Sequence, residues 1–295
     1  MENSIIQGAY DMHVHAGPDV MPREFDCLEA AQRMADAGMA GLVVKNHYFA
    51  TSPSAKIANA RCPGFKVIGS ITLNNSVGGM NPIAVDIAGR DGAKVVWFPT
   101  VDTQSSIHDA EKLEKGKQPY WVSVLLGLKA DGVTLNPVEV LDKDDKILPG
   151  VIEVLDVIAN HGMILCTGHL SVKECVALVK AAHERKVERI ICTHVDSPLA
   201  FYEIELQLEL VKKYGAYMEH CLNGCTTGKV TWEVCLDQIL KVGVDRVILS
   251  TDLGQTGRPY PNEGLLQFAN WLLGCGVRET DVRKTFVDNA IQLLS

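Results

Sequence analysis

His13 and His15 stand two residues apart in AYDMHVH, a short apolar run of strand type. Side chains two apart on a strand share a face, so the pair can offer two imidazoles to one metal ion. The same pair can also cap a strand end by bonding to backbone, and a short motif alone does not choose between the two. Three more residues of ligand type end later runs of the same kind: His169 closes MILCTGH, His194 sits in RIICTHVD and Asp252 closes RVILSTD. Imidazoles with one carboxylate make a donor set for zinc, and manganese, iron, cobalt or nickel accept the same set.

Eight such runs are spaced along the chain, at 9–15, 41–47, 66–73, 94–100, 163–169, 189–196, 216–221 and 246–252. Each starts apolar at successive positions and ends polar, the pattern of a parallel strand buried on both faces. Helical segments with explicit punctuation lie between them. Ser52-Pro53, Asn81-Pro82 and Ser197-Pro198 place an N-cap residue before a proline, and Ser171 with Glu174 makes a capping box. Gly38, Gly92, Gly162, Gly215 and Gly243 close helices shortly before the next strand. Strand and helix alternate throughout, which predicts an α/β protein, and eight repeats predict a (β/α)8 barrel occupying residues 1–295 as one domain.

Two segments depart from this regular alternation. Ile204, Leu206, Leu208 and Leu210 alternate like a strand, but Phe201, Ile204, Leu208 and Val211 also share a helical face, and a helix opened by Ser197-Pro198 is expected. The stretch after strand four, about 103–147, is far longer than a usual connection and carries Lys112, Lys115, Lys117 and the run YWVSVLLGL. It is expected to be a lid or binding loop over the carboxyl face of the barrel, where barrel active sites lie.

Six of the nine histidines, His13, His15, His47, His169, His194 and His220, fall at the carboxyl ends of these runs. Such positions make up about a tenth of a barrel of this kind, so chance would place about one histidine there. His108, His161 and His183 fall in helix or loop.

Composition narrows the partners. The net charge of −8, from 28 basic against 36 acidic residues and with no basic run, offers no footprint for nucleic acid or anionic lipid. No apolar run approaches membrane-spanning length, and the start of the chain lacks the charge and apolar pattern of a signal peptide. Nine scattered cysteines without a C-x-x-C pair suit free thiols in a reducing compartment. A cytoplasmic protein with a small-molecule substrate is expected, with a homo-oligomer as the common outcome for soluble enzymes.

The H-x-H of strand one, the histidines ending strands five and six and the aspartate ending strand eight resemble the amidohydrolase superfamily of metal-dependent (β/α)8 hydrolases. The closing VDNAIQLL is similar to that superfamily's C-terminal Asn-x-x-x-Leu-Leu helix. The opening DMHVHAGPD with a following KNH resembles an uncharacterised bacterial branch inside it, which supplies no substrate. The resemblance implies that His13, His15, His169 and Asp252 hold a primary metal. It also implies that His194 binds a second ion or acts as proton donor or electrophile, and that Asp252 is the general base. Attack by metal-activated water on an amide, ester, lactone or similar bond would follow.

Strand four departs from the pattern. Binuclear members take a bridging carboxylated lysine or a glutamate from it, whereas here Lys94 lies at its amino end and its carboxyl end offers Thr100 and Asp102. Lys45, with His47 two residues on, is a substitute bridging ligand, or else a cation for a substrate anion or a lysine snorkelling at the rim. One or two ions therefore remain open. Arg258 is a candidate clamp for substrate anions or a solvated charge. Of Glu219 and His220 only one can face the pocket, and either can support a ligand histidine; Asp11 and Asp196 have similar claims. Cys221 with Cys225 and the strand cysteines Cys166 and Cys192 could suggest zinc, but thiols behind histidine ligands read as small core fillers. A mononuclear decarboxylase or hydratase on the same barrel, and a non-catalytic metal-containing binding protein, are the alternative functions.

Overall fold

The computed structural model describes residues 4–110, 120–198 and 200–295. Eight strands neighbour one another in sequence order: β1 (Tyr10–His15), β2 (Gly41–Lys45), β3 (Lys66–Thr72), β4 (Ala93–Trp97), β5 (Ile164–Cys166), β6 (Ile190–Cys192), β7 (Tyr217–Cys221) and β8 (Val247–Ser250). Every adjacent pair is parallel. The sheet closes where Asp252 N–H donates to His13 O at 2.9 Å and His15 N–H to Leu253 O at 2.8 Å. Helices cover the outside, so the architecture is the (β/α)8 barrel that the alternation predicts.

The strands are apolar on both faces because both are buried. Val95 and Trp97 of β4, Ile164 and Cys166 of β5 and Ile191 of β6 fill the barrel, while Val96, Leu165 and Ile190 between them pack under helices. The helix Asp288–Leu294 plugs the amino end: Ala290 and Leu293 join the interior cluster, and the Asn289 amide donates to the carbonyls of Val244 and Val247, both at 2.8 Å. That gives the Asn-x-x-x-Leu-Leu pattern a physical role.

On β1 simple alternation fails. Tyr10 and Met12 face the interior, which would send His13 and His15 outward. The register with β2 shifts between Asp11 and Val14, so two residues of β1 stand opposite one of β2. This bulge reverses the phase: Val14 packs outside, and both histidines turn in.

Elsewhere the punctuation holds at Asn81 and Ser171, shifts by one residue at Ser52 and fails at Ser197-Pro198. Asn81 accepts from Ile83 N–H and Ala84 N–H, and the Ser171–Glu174 capping box is formed. Thr51, not Ser52, precedes the helix Ser52–Arg61, and the Ser52 hydroxyl instead donates to Asp91 at 2.6 Å. Ser197-Pro198 does not open a helix; the helix is Ile204–Tyr214, and it buries Gln207 and Leu210 while Phe201 and Leu208 are exposed. The buried Gln207 amide donates to Tyr202 O at 2.8 Å, which satisfies its nitrogen on the inner face, while its Oε1 has no hydrogen-bond partner.

The long stretch after β4 is not simply a loop. It contains the helices Gln104–Ala110 and Tyr120–Ala130, whose Ala110, Val122 and Leu125 form a small apolar cluster of their own. Val138 N–H donates to Asp102 O, and the Asn75 amide to Asn136 O, both at 2.8 Å, which fastens it to the ends of β3 and β4. Lys112, Lys115 and Lys117 lie outside the described residues. Among the described residues no helix is long and apolar enough to cross a membrane.

Candidate metal centre at the carboxyl end of the barrel

His47, His169, His194 and Asp252 lie two or three residues beyond the last paired residue of their strands rather than within them. The backbone leaves the ladder there to aim them. His194 and Asp252 both adopt φ +53°, in the left-handed region, at a cost of about 1–3 kcal/mol each. Two glycines permit the close approaches beside them. A Cβ on Gly168 would stand 2.2 Å from Phe98 O, and one on Gly254 would stand 1.6 Å from His15 O.

The result is a closed ring of five imidazoles. Ring centroids are 5.4 Å apart for His13–His15, 4.9 Å for His15–His47, 6.2 Å for His47–His169, 5.6 Å for His169–His194 and 5.2 Å for His194–His13. Asp252 binds one side of the ring, with Oδ1 at 3.3 Å from His13 Nε2 and 3.1 Å from His15 Nε2, and Oδ2 at 3.9 Å from His194 Nε2. His13, His15 and Asp252 each offer a donor atom within 4.8 Å of the others, and so do His13, His194, Glu219 and Cys221. His169 belongs to the ring but to neither of these tighter groups.

Hydrogen bonding orients the rings. Glu219, facing inward from β7, accepts a hydrogen bond from Nδ1–H of His13 at 3.2 Å, which leaves the lone pair of that ring on Nε2, beside the Lys45 amine. Arg23 can only donate, and its Nη2 lies 3.2 Å from Nδ1 of His15, so that ring carries its proton on Nε2 toward Asp252. A cation bound through the latter nitrogen displaces that proton. Arg23 is itself held by Asp19 at 2.7 Å, with both side chains buried. His47 Nδ1 meets the Thr100 hydroxyl at 2.8 Å, so the end of β4 supports an imidazole rather than bridging two ions. Asp11 faces away from the ring and accepts from His13 N–H, Thr251 N–H and the Thr251 hydroxyl, tying β1 to the end of β8.

Lys45 is buried inside the barrel, its Nζ 3.1 Å from His13 Nε2 and 4.2 Å from the centre of the Trp97 ring. It is not a rim lysine. Burial lowers its pKa, against the pull of Asp252 and Glu219. Burial also holds His15, His47 and His169 well below the ordinary imidazole range, helped by Arg23 at His15 and by Lys45 at the other two, and it lowers His194. For Asp252 and Glu219 burial alone would raise the pKa, but their neighbours together outweigh it, His13, His15 and His194 at Asp252 and His13, His194 and Lys45 at Glu219, and both carboxyls are lowered. At neutral pH these four imidazoles are therefore unprotonated beside two ionised carboxylates, the state in which such side chains bind a cation.

Two other candidates are not brought into the ring. His220 turns outward, its Nδ1 on Asp196 at 2.7 Å. Arg258 is exposed in the loop after β8. Sequence reasoning missed Arg23, Trp97 and Asn223, the last of which donates to Asp252 Oδ2 at 3.2 Å, and it treated Cys221 as filler although its Sγ lies 3.7 Å from His13 Nδ1. Only Trp97 left a usable signal, through its alternation with Val95 on β4.

The closed barrel is a fold that solved hydrolases share. An amidohydrolase from Pseudomonas aeruginosa superposes with a TM-score of 0.65 at 12% identity, over 99% of this chain and 97% of that one. An organophosphorus hydrolase variant from Deinococcus radiodurans gives 0.59 at 12% identity, over 99% and 94%. Residues 8–219 match the model of a family of unknown function, DUF6282, and the chain belongs to that family. No curated protein shows significant sequence similarity to it.

Proposed function

We propose that this protein is a metal-dependent hydrolase that cleaves an amide, ester, lactone or similar bond of a small molecule. The observation that carries the proposal is the five-imidazole ring with Asp252 across one side, at the end of the barrel where the strands converge. The donors suit a divalent ion: His13 turns the lone pair of Nε2 inward, and Asp252 is ionised next to it. His13, His15 and Asp252 would hold the ion, with His169 completing the set. Zinc matches that choice of donors best. When bound, it would supply a Lewis acid and a nucleophilic water at neutral pH.

The chain's own residues then divide the remaining work. Asp252, the most open of the carboxylates at 16% side-chain exposure, accepts the proton of the attacking water and returns it to the leaving group. His194, 20% exposed beside it, donates to the developing charge on the substrate. Glu219 and Arg23 keep the two strand-one imidazoles in fixed orientations. Thr100 is engaged with His47, and Asp102 accepts from Asn75 N–H at 2.8 Å, so strand four supplies no bridging group. This favours a single catalytic ion, with Lys45 as a buried amine beside His13. The segment after β4 would close over the substrate. Eight buried free thiols support a reducing, cytoplasmic setting.

The test is to strip the protein of metal, reload it with zinc and challenge it with panels of amides, esters, lactones and phosphate esters. Metal-restored turnover that His13→Ala abolishes is expected. A metal-loaded protein that turns over nothing across all four panels overturns the proposal in favour of a binding protein.

A further inference from the structure

Behind the barrel wall a second group of donors is enclosed. His220 follows Glu219 on β7, so the pleat sends its ring into the helix layer, away from the imidazole ring. There its Nδ1 meets Asp196, two residues beyond His194, at 2.7 Å. Cys235 reaches in from the helix Trp232–Val242, and donor atoms of Asp196, His220 and Cys235 all lie within 4.8 Å of one another. Cys225, from the short helix Leu222–Thr226, is within hydrogen-bonding reach of the Cys235 thiol. None of the four is more than 4% exposed. The nitrogen of His220 that faces Asp196 is Nδ1; Nε2, on the far side of the ring, has no hydrogen-bond partner.

We infer that Asp196, His220, Cys225 and Cys235 form a second, structural metal site, for zinc, separate from the centre inside the barrel. One imidazole, one carboxylate and two sulfurs are donors zinc accepts in tetrahedral sites, and four protein ligands leave no position open for substrate. Binding through Nδ1 moves the ring proton of His220 to Nε2 and requires both thiols to lose their protons to solvent, so the metal must overcome the low acidity of Cys235, which its hydrogen bond to Cys225 and its burial impose. The two thiolates, the carboxylate and the ion then sum to a single negative charge. Such a clamp joins the segment after β6 to β7 and to two helices, and it fixes the chain beside His194 and Glu219. It thereby positions two groups of the first centre without touching substrate.

Zinc X-ray absorption on zinc-loaded Cys221→Ser protein tests this, since that variant removes the one thiol near His13 and keeps the four donors intact. A zinc–sulfur shell at about 2.3 Å and a zinc content exceeding that of the Cys225→Ser/Cys235→Ser double variant by one ion per chain are expected. His13→Ala should lose the other zinc and retain the sulfur shell. Coordination by nitrogen and oxygen alone overturns the inference and leaves a buried water as the partner of His220. So does an unchanged zinc content in a folded double variant. Because the absorption measurement does not need the double variant, it decides the matter even if that variant fails to fold.

Discussion

The carboxylate of Glu219 lies 3.2 Å from Nδ1 of His13, a contact across the barrel between residues 206 positions apart. It sets which nitrogen of His13 is free, and so it couples β7 to the donor set of β1. Glu219→Gln keeps the shape but removes the charge that holds the Nδ1 proton. Zinc affinity measured by chelator competition should fall by about 10–100-fold, with the fold retained by circular dichroism. Unchanged affinity would mean that the orientation of His13 does not depend on this carboxylate.

Asp252 is bonded on one side by His15 and on the other by Asn223. Asp252→Asn leaves a similar volume but no proton acceptor, so turnover of a substrate found by panel screening should drop by about 10²–10⁴. A variant within threefold of wild type would assign the base role elsewhere.

The histidines predict an unusual response to acid in the metal-free protein. Unfolded histidines take up protons below about pH 6.5, whereas His15, His47, His169 and His194 resist protonation in the fold. The unfolded state therefore gains protons first, and stability falls as pH drops below 6.5. Asp11 acts in the opposite direction. Burial raises it to about 7 in the fold, so its contribution improves as pH falls toward its unfolded value. Four histidines outweigh one aspartate. Urea midpoints should decline between pH 6.5 and 5.5, more steeply in Asp11→Asn. A flat profile would contradict the assigned protonation states.

Gly168→Ala and Gly254→Ala should destabilise far more than Gly215→Ala. All three glycines have positive φ, but a Cβ at Gly215 meets nothing within 4 Å, while the other two meet backbone oxygens. The left-handed conformation alone costs an alanine about 1 kcal/mol or more, and displacing β1 or the end of β4 adds to it. Equal denaturation midpoints for the three variants would sink this reading.

Arg23→Met strands the buried Asp19 carboxylate without its partner, and about 3–5 kcal/mol of stability should be lost. Arg258→Met, on an exposed side chain, should change stability by less than about 0.5 kcal/mol. Comparable losses in both would show that the Arg23–Asp19 pair is not what holds the β1 loop.

Much of this protein is determined by sequence alone. Eight doubly apolar runs, the caps at Asn81 and Ser171 and the position of the histidines at the ends of those runs all follow from local chemistry, because burial on two faces and helix capping are written within a few residues. Which face His13 and His15 take is not. The inward pair Tyr10 and Met12 points them the wrong way, and only the bulge against β2 turns them in. The inner face of the helix Ile204–Tyr214 was likewise beyond periodicity, since Gln207 is buried by a hydrogen bond to Tyr202 while Leu208 is left outside. Arg23, Asn223 and the depth of Lys45 depend on contacts between segments far apart in the chain. The residue types that can bind a metal were legible in order along the sequence; their closure into a ring was decided by the register of β1 and by backbone turns at His194 and Asp252 that exist only when the barrel closes.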